Sequence, residues 1–262
     1  MRTIVLSLSA ALSLGTAVRA ETGFLDRSVS VSGREYRYQV YVPAGWSAGK
    51  LWPTILFLHG AGERGDDGVF PTAVGLGNAI RRSRERFPCL VVFPQCRKDL
   101  WWTLPTMQDQ AMAALDASVK EFHGDPARVT LTGLSMGGYG TWGLAARFPG
   151  KFAALAPICG GIKPPPNVRK LAPALPEPDP TDAPYAETAK MVGRTPVWVF
   201  HSRDDPVVPV EGSRKMVEAL KPAGGDVRYD EYDGLGHNAW DKAYGNEKFI
   251  EWMLAQRRDS PK

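Results

Sequence analysis

The sequence of 262 residues has few of the side chains that build metal centres or disulfide scaffolds, with three cysteines and four histidines. Three cysteines are too few for a small secreted fold that is stabilised mainly by disulfide bonds. No group of residues has the spacing of a metal site. The net charge is only +4, and no basic run or nucleic-acid motif is present. We therefore expect no cofactor, no metal and no nucleic-acid partner.

Long apolar runs are also scarce, and the clearest one lies at the N-terminus. Arg2 precedes a stretch of small apolar residues, and the run AVRA places Val18 and Ala20 at the −3 and −1 positions of a cleavage site. The stretch is short for a membrane span. This pattern predicts a signal peptide over residues 1–20, a mature protein from Glu21 that is secreted or periplasmic, and no stable membrane insertion. A buried N-terminal helix is the alternative.

The rest of the chain alternates short apolar runs with helical patterns. An opening hairpin around SGRE is followed by the runs PTILFLHG, CLVVFPQ, RVTLTG, FAALAPICGG, TPVWVFHS and VRYDEYD. Continuous apolar runs suit strands that are covered on both faces. The pattern predicts an α/β fold, a three-layer sandwich with a mostly parallel central sheet of about eight strands. Residues 106–122 form the longest helical pattern, with Thr106 and Asp109 as a capping pair at its start.

A proline-rich stretch at residues 163–187 interrupts this alternation. Proline excludes a long helix or an interior strand there. The stretch is either an irregular surface segment or a cap over a site at the carboxyl ends of the strands. We expect one domain over residues 21–262 that includes this insertion.

The run TGLSMGGYG, residues 132–140, combines a strand end, a serine between glycines and a helix start. Gly133, Ser135 and Gly137 fit the G-x-S-x-G pattern of a nucleophile elbow, in which a tight turn exposes the serine. The backbone N–H of Met136, at the start of the helix, would point at a developing oxyanion. This context predicts that Ser135 is a catalytic nucleophile.

A serine nucleophile needs a base, and His237 is the candidate. It lies in the glycine-rich run DGLGHNAW after the last predicted strand, where a side chain can reach the serine. The acid should lie between the serine and the histidine in the chain, and the run FHSRDDPVVP offers Asp204 and Asp205. Spacing alone leaves both open, with a solvated carboxylate paired with Arg203 as the other interpretation of Asp204.

A second oxyanion donor is expected from the loop after the first central strand, LHGAGERGDD. Ala61 is the predicted donor, with Gly62 as the alternative. His59 at the start of this loop is expected to brace it without taking part in catalysis.

Together the runs LHGAGERGDD, FPQC, WW, TGLSMGGYGTW, PICGG, FHSRDDPVVPV and GHNAWDKAY resemble one branch of the α/β-hydrolase superfamily. This branch contains secreted esterases of the phospholipase/carboxylesterase or "predicted peptidase" type, near feruloyl esterases and polyhydroxybutyrate depolymerases. The resemblance covers nearly the whole mature chain. It implies an α/β-hydrolase fold and, through the pattern H-G-x-x-D-x-x-V-P, assigns the acid to Asp205, with Ser202 in place of the usual glycine.

Three tryptophans near these motifs, Trp101, Trp102 and Trp240, are candidate substrate-binding residues, since stacked rings would suit a phenolic or sugar group. Packing in the core is the equally weighted alternative for each. Whether Cys96 and Cys159 pair, which export would permit, is left open by the sequence.

The expected activity is hydrolysis of carboxylic esters by a Ser135–His237–Asp205 triad through an acyl-enzyme. The substrates expected are small or polysaccharide-linked esters, such as feruloyl, acetyl or short-chain esters. A serine peptidase of the same fold and a non-catalytic binding protein are the alternatives.

Overall fold

The computed structural model describes residues 21–164, 168 and 179–258. Its centre is an eight-stranded sheet in the order β1-β2-β4-β3-β5-β6-β7-β8. The strands are β1 (Gly23–Val31), β2 (Arg34–Val42), β3 (Trp52–Leu58), β4 (Leu90–Pro94), β5 (Gly124–Leu134), β6 (Ala154–Ile158), β7 (Val197–Ser202) and β8 (Val227–Tyr232). β2 runs antiparallel to both of its neighbours, and the other adjacent pairs are parallel. The mostly parallel sheet of about eight strands is therefore confirmed.

Seven α-helices belong to the described part of the chain. They are α1 (Leu76–Arg82), α2 (Pro105–Glu121), α3 (Met136–Arg147), α4 (Ala183–Val192), α5 (Glu211–Leu220), α6 (Trp240–Gly245) and α7 (Glu247–Ala255). The capping pair predicted for α2 is wrong. The helix begins at Pro105, whose ring presets the helical φ angle, and no side chain caps it. Asp109 instead pairs with Arg147 of α3 at 2.8 Å.

Alternating residues of the central strands enter two separate cores, one on each face of the sheet. Leu56 and Leu58 of β3 pack with side chains of α2, α3, α4 and α5. Ile55 and Phe57 pack with α1, α6 and α7. The strand is buried on both faces, which is why its sequence is a continuous apolar run.

Two predicted segments lie outside the described residues, wholly or in part. Residues 1–20, the expected signal peptide, are wholly outside. In the proline-rich stretch, residues 165–167 and 169–178 are outside, and α4 begins within the stretch at Ala183. No described helix is long and apolar enough to cross a membrane. The signal peptide and the cap stay predictions.

All three cysteines are buried free thiols in the structure. Cys96 and Cys159 therefore do not form the disulfide that the sequence left open. Burial raises the pKa of the Cys89 and Cys96 thiols above the usual range, so both are neutral at ordinary pH.

The start of α3 lies directly against the end of β3. A Cβ atom placed on Gly137 would lie 1.9 Å from the carbonyl oxygen of Leu58. No side chain fits this gap, because the obstacle is rigid backbone. Glycine at position 137 therefore sets how closely the helix approaches the sheet.

We expect Gly137→Ala to lower the free energy of unfolding by about 1–3 kcal/mol or more, the usual cost of overpacking. The backbone of β3 or α3 must shift to admit the methyl group. The matched control is Gly45→Ala, because a Cβ atom at Gly45 meets no atom within 4 Å. Urea denaturation of the two variants measures the difference. Equal stability of the two variants would contradict the close approach.

Candidate active site

Ser135 occupies the turn between β5 and α3 in a conformation that is rare for a residue with a side chain. Its φ is 53° and its ψ is −118°. Such backbone strain costs about 1–3 kcal/mol and persists only where the surroundings enforce it. Here the Ser135 N–H donates to the carbonyl oxygen of Ile158 in β6 at 2.9 Å. The turn leaves the serine side chain partly exposed at the carboxyl ends of the central strands.

His237 connects this serine to a carboxylate. The His237 Nε2 atom lies 2.9 Å from the Ser135 Oγ, and its Nδ1 lies 2.7 Å from the Asp205 Oδ2. An ionised carboxylate can only accept, so Nδ1 carries the proton and the Nε2 lone pair faces the serine hydroxyl. The three residues therefore form one hydrogen-bonded chain with the geometry of a serine nucleophile and its base.

The carboxylate of Asp205 has no exposed surface. Its Oδ1 accepts the backbone N–H groups of Val207 and Val208 at 2.8 and 2.9 Å. Burial alone would raise the pKa of the Asp205 carboxyl, but hydrogen bonds from His201, His237 and the two amides together lower that pKa well below its usual range. The side chain is therefore ionised wherever the protein is folded at ordinary pH.

Asp204, the other candidate acid, holds the loop that carries the histidine. Its carboxylate accepts the backbone N–H groups of Gly234 and Gly236 at 3.1 and 3.3 Å, together with the Ser202 hydroxyl at 2.6 Å. The ion pair considered for Asp204 and Arg203 is wrong, since Arg203 pairs with acidic side chains in β8 and just after it. Asp204 does not contact the ring of the histidine in the described hydrogen bonds.

The two backbone groups predicted as oxyanion donors belong to the residue after the serine and to the loop after β3. Met136 is the first residue of α3, and Ala61 is the first residue of a short 3-10 helix at Ala61–Glu63. N–H groups in the first turn of a helix have no acceptor within that helix. A Cβ atom on Gly60 would lie 3.7 Å from the Ser135 Cβ, so the loop of Ala61 is adjacent to the serine. The oxyanion role of both N–H groups stays a prediction.

His59 is completely buried at the base of this loop. Its Nε2 accepts the backbone N–H of Cys96 at 3.0 Å, and Nδ1 donates to the Gly60 carbonyl at 2.6 Å. Burial lowers the pKa of His59 to about 4, so the ring is neutral at ordinary pH. These bonds tie the ends of β3 and β4 together.

The three tryptophans that are candidate substrate-binding residues lie in different environments. Trp101 and Trp102 are 3% and 0% exposed, so the predicted substrate contact is wrong for them. Their rings are enclosed by the core, where Trp102 donates to the carbonyl oxygen of His59 at 3.0 Å. Trp240 is half-buried and lies edge-on to His237, with ring centroids 5.2 Å apart. Its substrate contact stays a prediction.

The sequence interpretation missed one residue of this site. His201, to which the sequence analysis assigned no role, lies with its Nε2 3.3 Å from the Asp205 Oδ2. The sequence feature that could have identified it is the spacing H-x-x-x-D in FHSRDDPVVP, in which His201 is four residues before Asp205. Spacing alone does not show that a strand-end histidine faces the acid from behind.

No separate metal centre is formed by the described histidine, cysteine and acidic residues. Their one close group is Cys159, Asp205 and His237, whose donor atoms lie within 4.8 Å of one another. Two of these three already belong to the hydrogen-bonded chain of the serine.

A cavity of about 480 Å³ lies near the carboxyl ends of β6 and β7. It is bordered by Tyr139, four residues after Ser135 on α3, and by Tyr185 of α4. Another cavity, of about 700 Å³, is lined by β1, β2 and the segment 67–69, and includes no residue of the hydrogen-bonded chain. The first cavity also includes none of these three residues, but Tyr139 places it one helical turn from Ser135 along α3.

Comparison with known proteins agrees with this geometry. The dienelactone hydrolase family matches residues 93–247 of the chain. The chain is 25% identical over 223 residues to the carboxylesterase SOBER1 of Arabidopsis thaliana, covering 78% of this chain and 90% of that protein. A stretch of 46 residues is 46% identical to acyl-protein thioesterase 1 of Gibberella zeae, which is 18% of this chain and 20% of that protein.

Among solved structures, a thermostable esterase superposes with a TM-score of 0.75 at 32% identity, over 90% of this chain and 63% of that chain. The chain thus spans less than two thirds of that esterase and a fifth of the thioesterase. The superposition confirms the α/β-hydrolase fold.

Separate replacement of Asp204 and Asp205 tests which of the two carboxylates supports catalysis. We expect Asp205→Asn to lower kcat by roughly 10³–10⁴-fold, because the amide no longer fixes the tautomer of His237. Asp204→Asn retains one acceptor oxygen and should lower kcat by less than about tenfold, the effect of a weakened hydrogen bond. Steady-state hydrolysis of p-nitrophenyl butyrate by the two folded variants measures this, and the reverse order would move the acid to Asp204.

Burial of His59 predicts a pH dependence of stability. Its pKa is about 4 in the folded protein, against an ordinary value of 6.5 for a solvated histidine, so the unfolded chain binds more protons between these values. Stability therefore falls on acidification from pH 6.5 to 4, by about 2–4 kcal/mol from this residue. His59→Gln should flatten that part of the curve in urea denaturation. The exposed His123, replaced by asparagine, serves as the control, and equal slopes in all three proteins would contradict the assignment.

Proposed function

The chain belongs to the dienelactone hydrolase family, and we propose that it is a serine esterase that hydrolyses carboxylic esters through an acyl-enzyme. The observation that carries this proposal is the unbroken chain of hydrogen bonds from Ser135 through His237 to the buried Asp205. A serine hydroxyl becomes a nucleophile when an adjacent base takes its proton.

In the proposed reaction, the Ser135 Oγ attacks the ester carbonyl while its proton moves to the Nε2 of His237. The carboxylate of Asp205 stabilises the resulting imidazolium. The N–H groups of Ala61 and Met136 bind the oxyanion, each donor contributing about 2–4 kcal/mol of transition-state stabilisation. His237 then gives the proton to the leaving alcohol, and a water activated by the same histidine releases the acid.

The proposed substrates are feruloyl, acetyl or short-chain esters, either free or linked to a polysaccharide. The cavity beside Tyr139 and Tyr185, about 480 Å³ in volume, is large enough for a small acyl group, and Trp240 lies edge-on to the catalytic histidine. The signal-peptide pattern over residues 1–20 supports the proposal that the enzyme is exported and meets such esters outside the cytoplasm.

Ser135→Ala tests the proposed nucleophile. We expect hydrolysis of p-nitrophenyl butyrate to fall by roughly 10³–10⁶-fold, as when a triad serine is removed. Ser30→Ala is the matched control, because Ser30 is exposed on β1, and should keep the wild-type rate. Retained activity in folded Ser135→Ala would refute the proposal.

The same assay with other substrates defines the class of bond that is cleaved. We compare methyl ferulate, acetylated xylan, a small lactone, an acyl thioester and an aminoacyl anilide. The proposal expects the oxygen esters to have the highest kcat/KM. A higher kcat/KM for the anilide would make the protein a peptidase, and a higher value for the thioester would make it a thioesterase.

A further inference from the structure

A second histidine contacts the acid of the proposed triad. His201 is the next-to-last residue of β7 and has no exposed surface. Its Nε2 lies 3.0 Å from the carbonyl oxygen of Val208 and 3.3 Å from the Asp205 Oδ2, and its Nδ1 lies 2.7 Å from the Ser213 Oγ. The oxygen of Asp205 that accepts from His237 therefore also faces a second ring.

We infer that His201 is a positioning residue for catalysis, which holds the Asp205 Oδ2 in place and partly neutralises its charge toward His237. The inference rests on the proposed function of the triad. It goes beyond that function because it assigns a role to a residue that touches neither the serine nor the proposed substrate position.

The partners of His201 fix its tautomer. A backbone carbonyl can only accept, so the Nε2 of His201 carries the proton that it shares between Val208 and Asp205. The Nδ1 atom is then a lone pair that accepts the Ser213 hydroxyl. Ser213 thus holds the ring from the far side and keeps the Nε2–H facing both the Val208 carbonyl oxygen, at 3.0 Å, and the Asp205 Oδ2, at 3.3 Å.

This arrangement leaves the carboxylate of Asp205 no freedom to rotate. One oxygen is bound by the amides of Val207 and Val208, and the other lies between the rings of His201 and His237. Donation from His201 also lowers the electron density on the oxygen that accepts from His237. Without that donor, the carboxylate would stabilise the imidazolium of His237 more strongly and so raise the pKa of the base.

Three other titratable groups near His201 and Asp205 do not change their protonation state between pH 5 and 8. Burial raises the pKa of Cys159 and Tyr139, which face Asp205 from the end of β6 and from α3, so both stay neutral. The pKa of Asp204 is lowered by its bond from the hydroxyl of Ser202, so it stays ionised. A change in the acid limb of the rate profile would therefore not come from these three groups.

Two substitutions of His201 distinguish the effect of its N–H donor from the effect of the space that its ring fills. His201→Phe keeps a ring but removes the N–H, whereas the amide nitrogen of His201→Gln can reach the same acceptors. For His201→Phe we expect kcat to fall by about 10–100-fold, as when a charged group loses a hydrogen bond. We also expect KM within about twofold and an acid limb about half a pH unit higher or more. His201→Gln should restore most of kcat and the wild-type limb.

A purely structural role makes a different prediction. Loss of folded protein would lower the apparent kcat without moving the acid limb, and glutamine would not restore the limb. A folded His201→Phe with the wild-type kcat and pH profile would overturn the inference. His123→Asn, at an exposed position, is the control for replacing a histidine outside the site.

A measurement without turnover distinguishes failure of this inference from failure of the proposed esterase activity. In the Ser135→Ala background, NMR titration of the His237 ring should give a higher pKa when His201 is phenylalanine than when it is histidine. If His201→Phe does not fold, Ser213→Ala removes only the far support of the ring and should raise the same pKa by a smaller amount. An unchanged His237 pKa in the folded variant overturns the inference, whether or not any ester is hydrolysed.

Discussion

A fully buried negative charge, that of Asp205, organises the end of this molecule where the proposed triad lies. An ionised carboxylate without solvent is stable only when hydrogen-bond donors replace the lost water. Asp205 has four such donors, from the amides of Val207 and Val208 and from the rings of His201 and His237. These donors belong to the end of β7, to the turn after it and to the loop after β8. The charge therefore joins the end of β7 and the turn directly after it to the loop after β8, which lies 32 residues further along the chain at His237. The position of the proposed base is a consequence of how that charge is satisfied.

The position of the proposed nucleophile depends on a different constraint, the packing of a helix against a sheet. Ser135 keeps a positive φ because its N–H is bound to β6 and because α3 begins where Gly137 allows contact with β3. Parallel strands place their carboxyl ends at one edge, and the following loops meet there. The strained turn and the buried acid reach the same edge independently. The contact between His237 and Ser135 thus joins two parts of the structure whose positions are set by separate interactions.

The sequence predicted those features of the fold and site that depend on the residue types of one short segment. Strands buried on both faces must be apolar throughout, and an exposed serine in a tight turn needs glycines nearby, so the strands and Ser135 could be read from the chain. The burial of Trp102 could not, because it depends on how distant segments pack. The choice between Asp204 and Asp205 was also beyond the residues alone, since neighbouring side chains in a turn point in directions that only the folded backbone sets. His201 escaped notice for the same reason.

The two adjacent aspartates show how environment divides tasks between identical side chains. Asp204 is exposed, and its charge is screened by solvent, so it acts through direct hydrogen bonds from the backbone of Gly234 and Gly236. Asp205 is enclosed, and its charge acts on the imidazole with little screening. Asp204 therefore orders the loop that carries His237, and Asp205 orients the imidazole ring of His237. Since a base must be correct in both position and tautomer before it can take a proton, neither aspartate can replace the other.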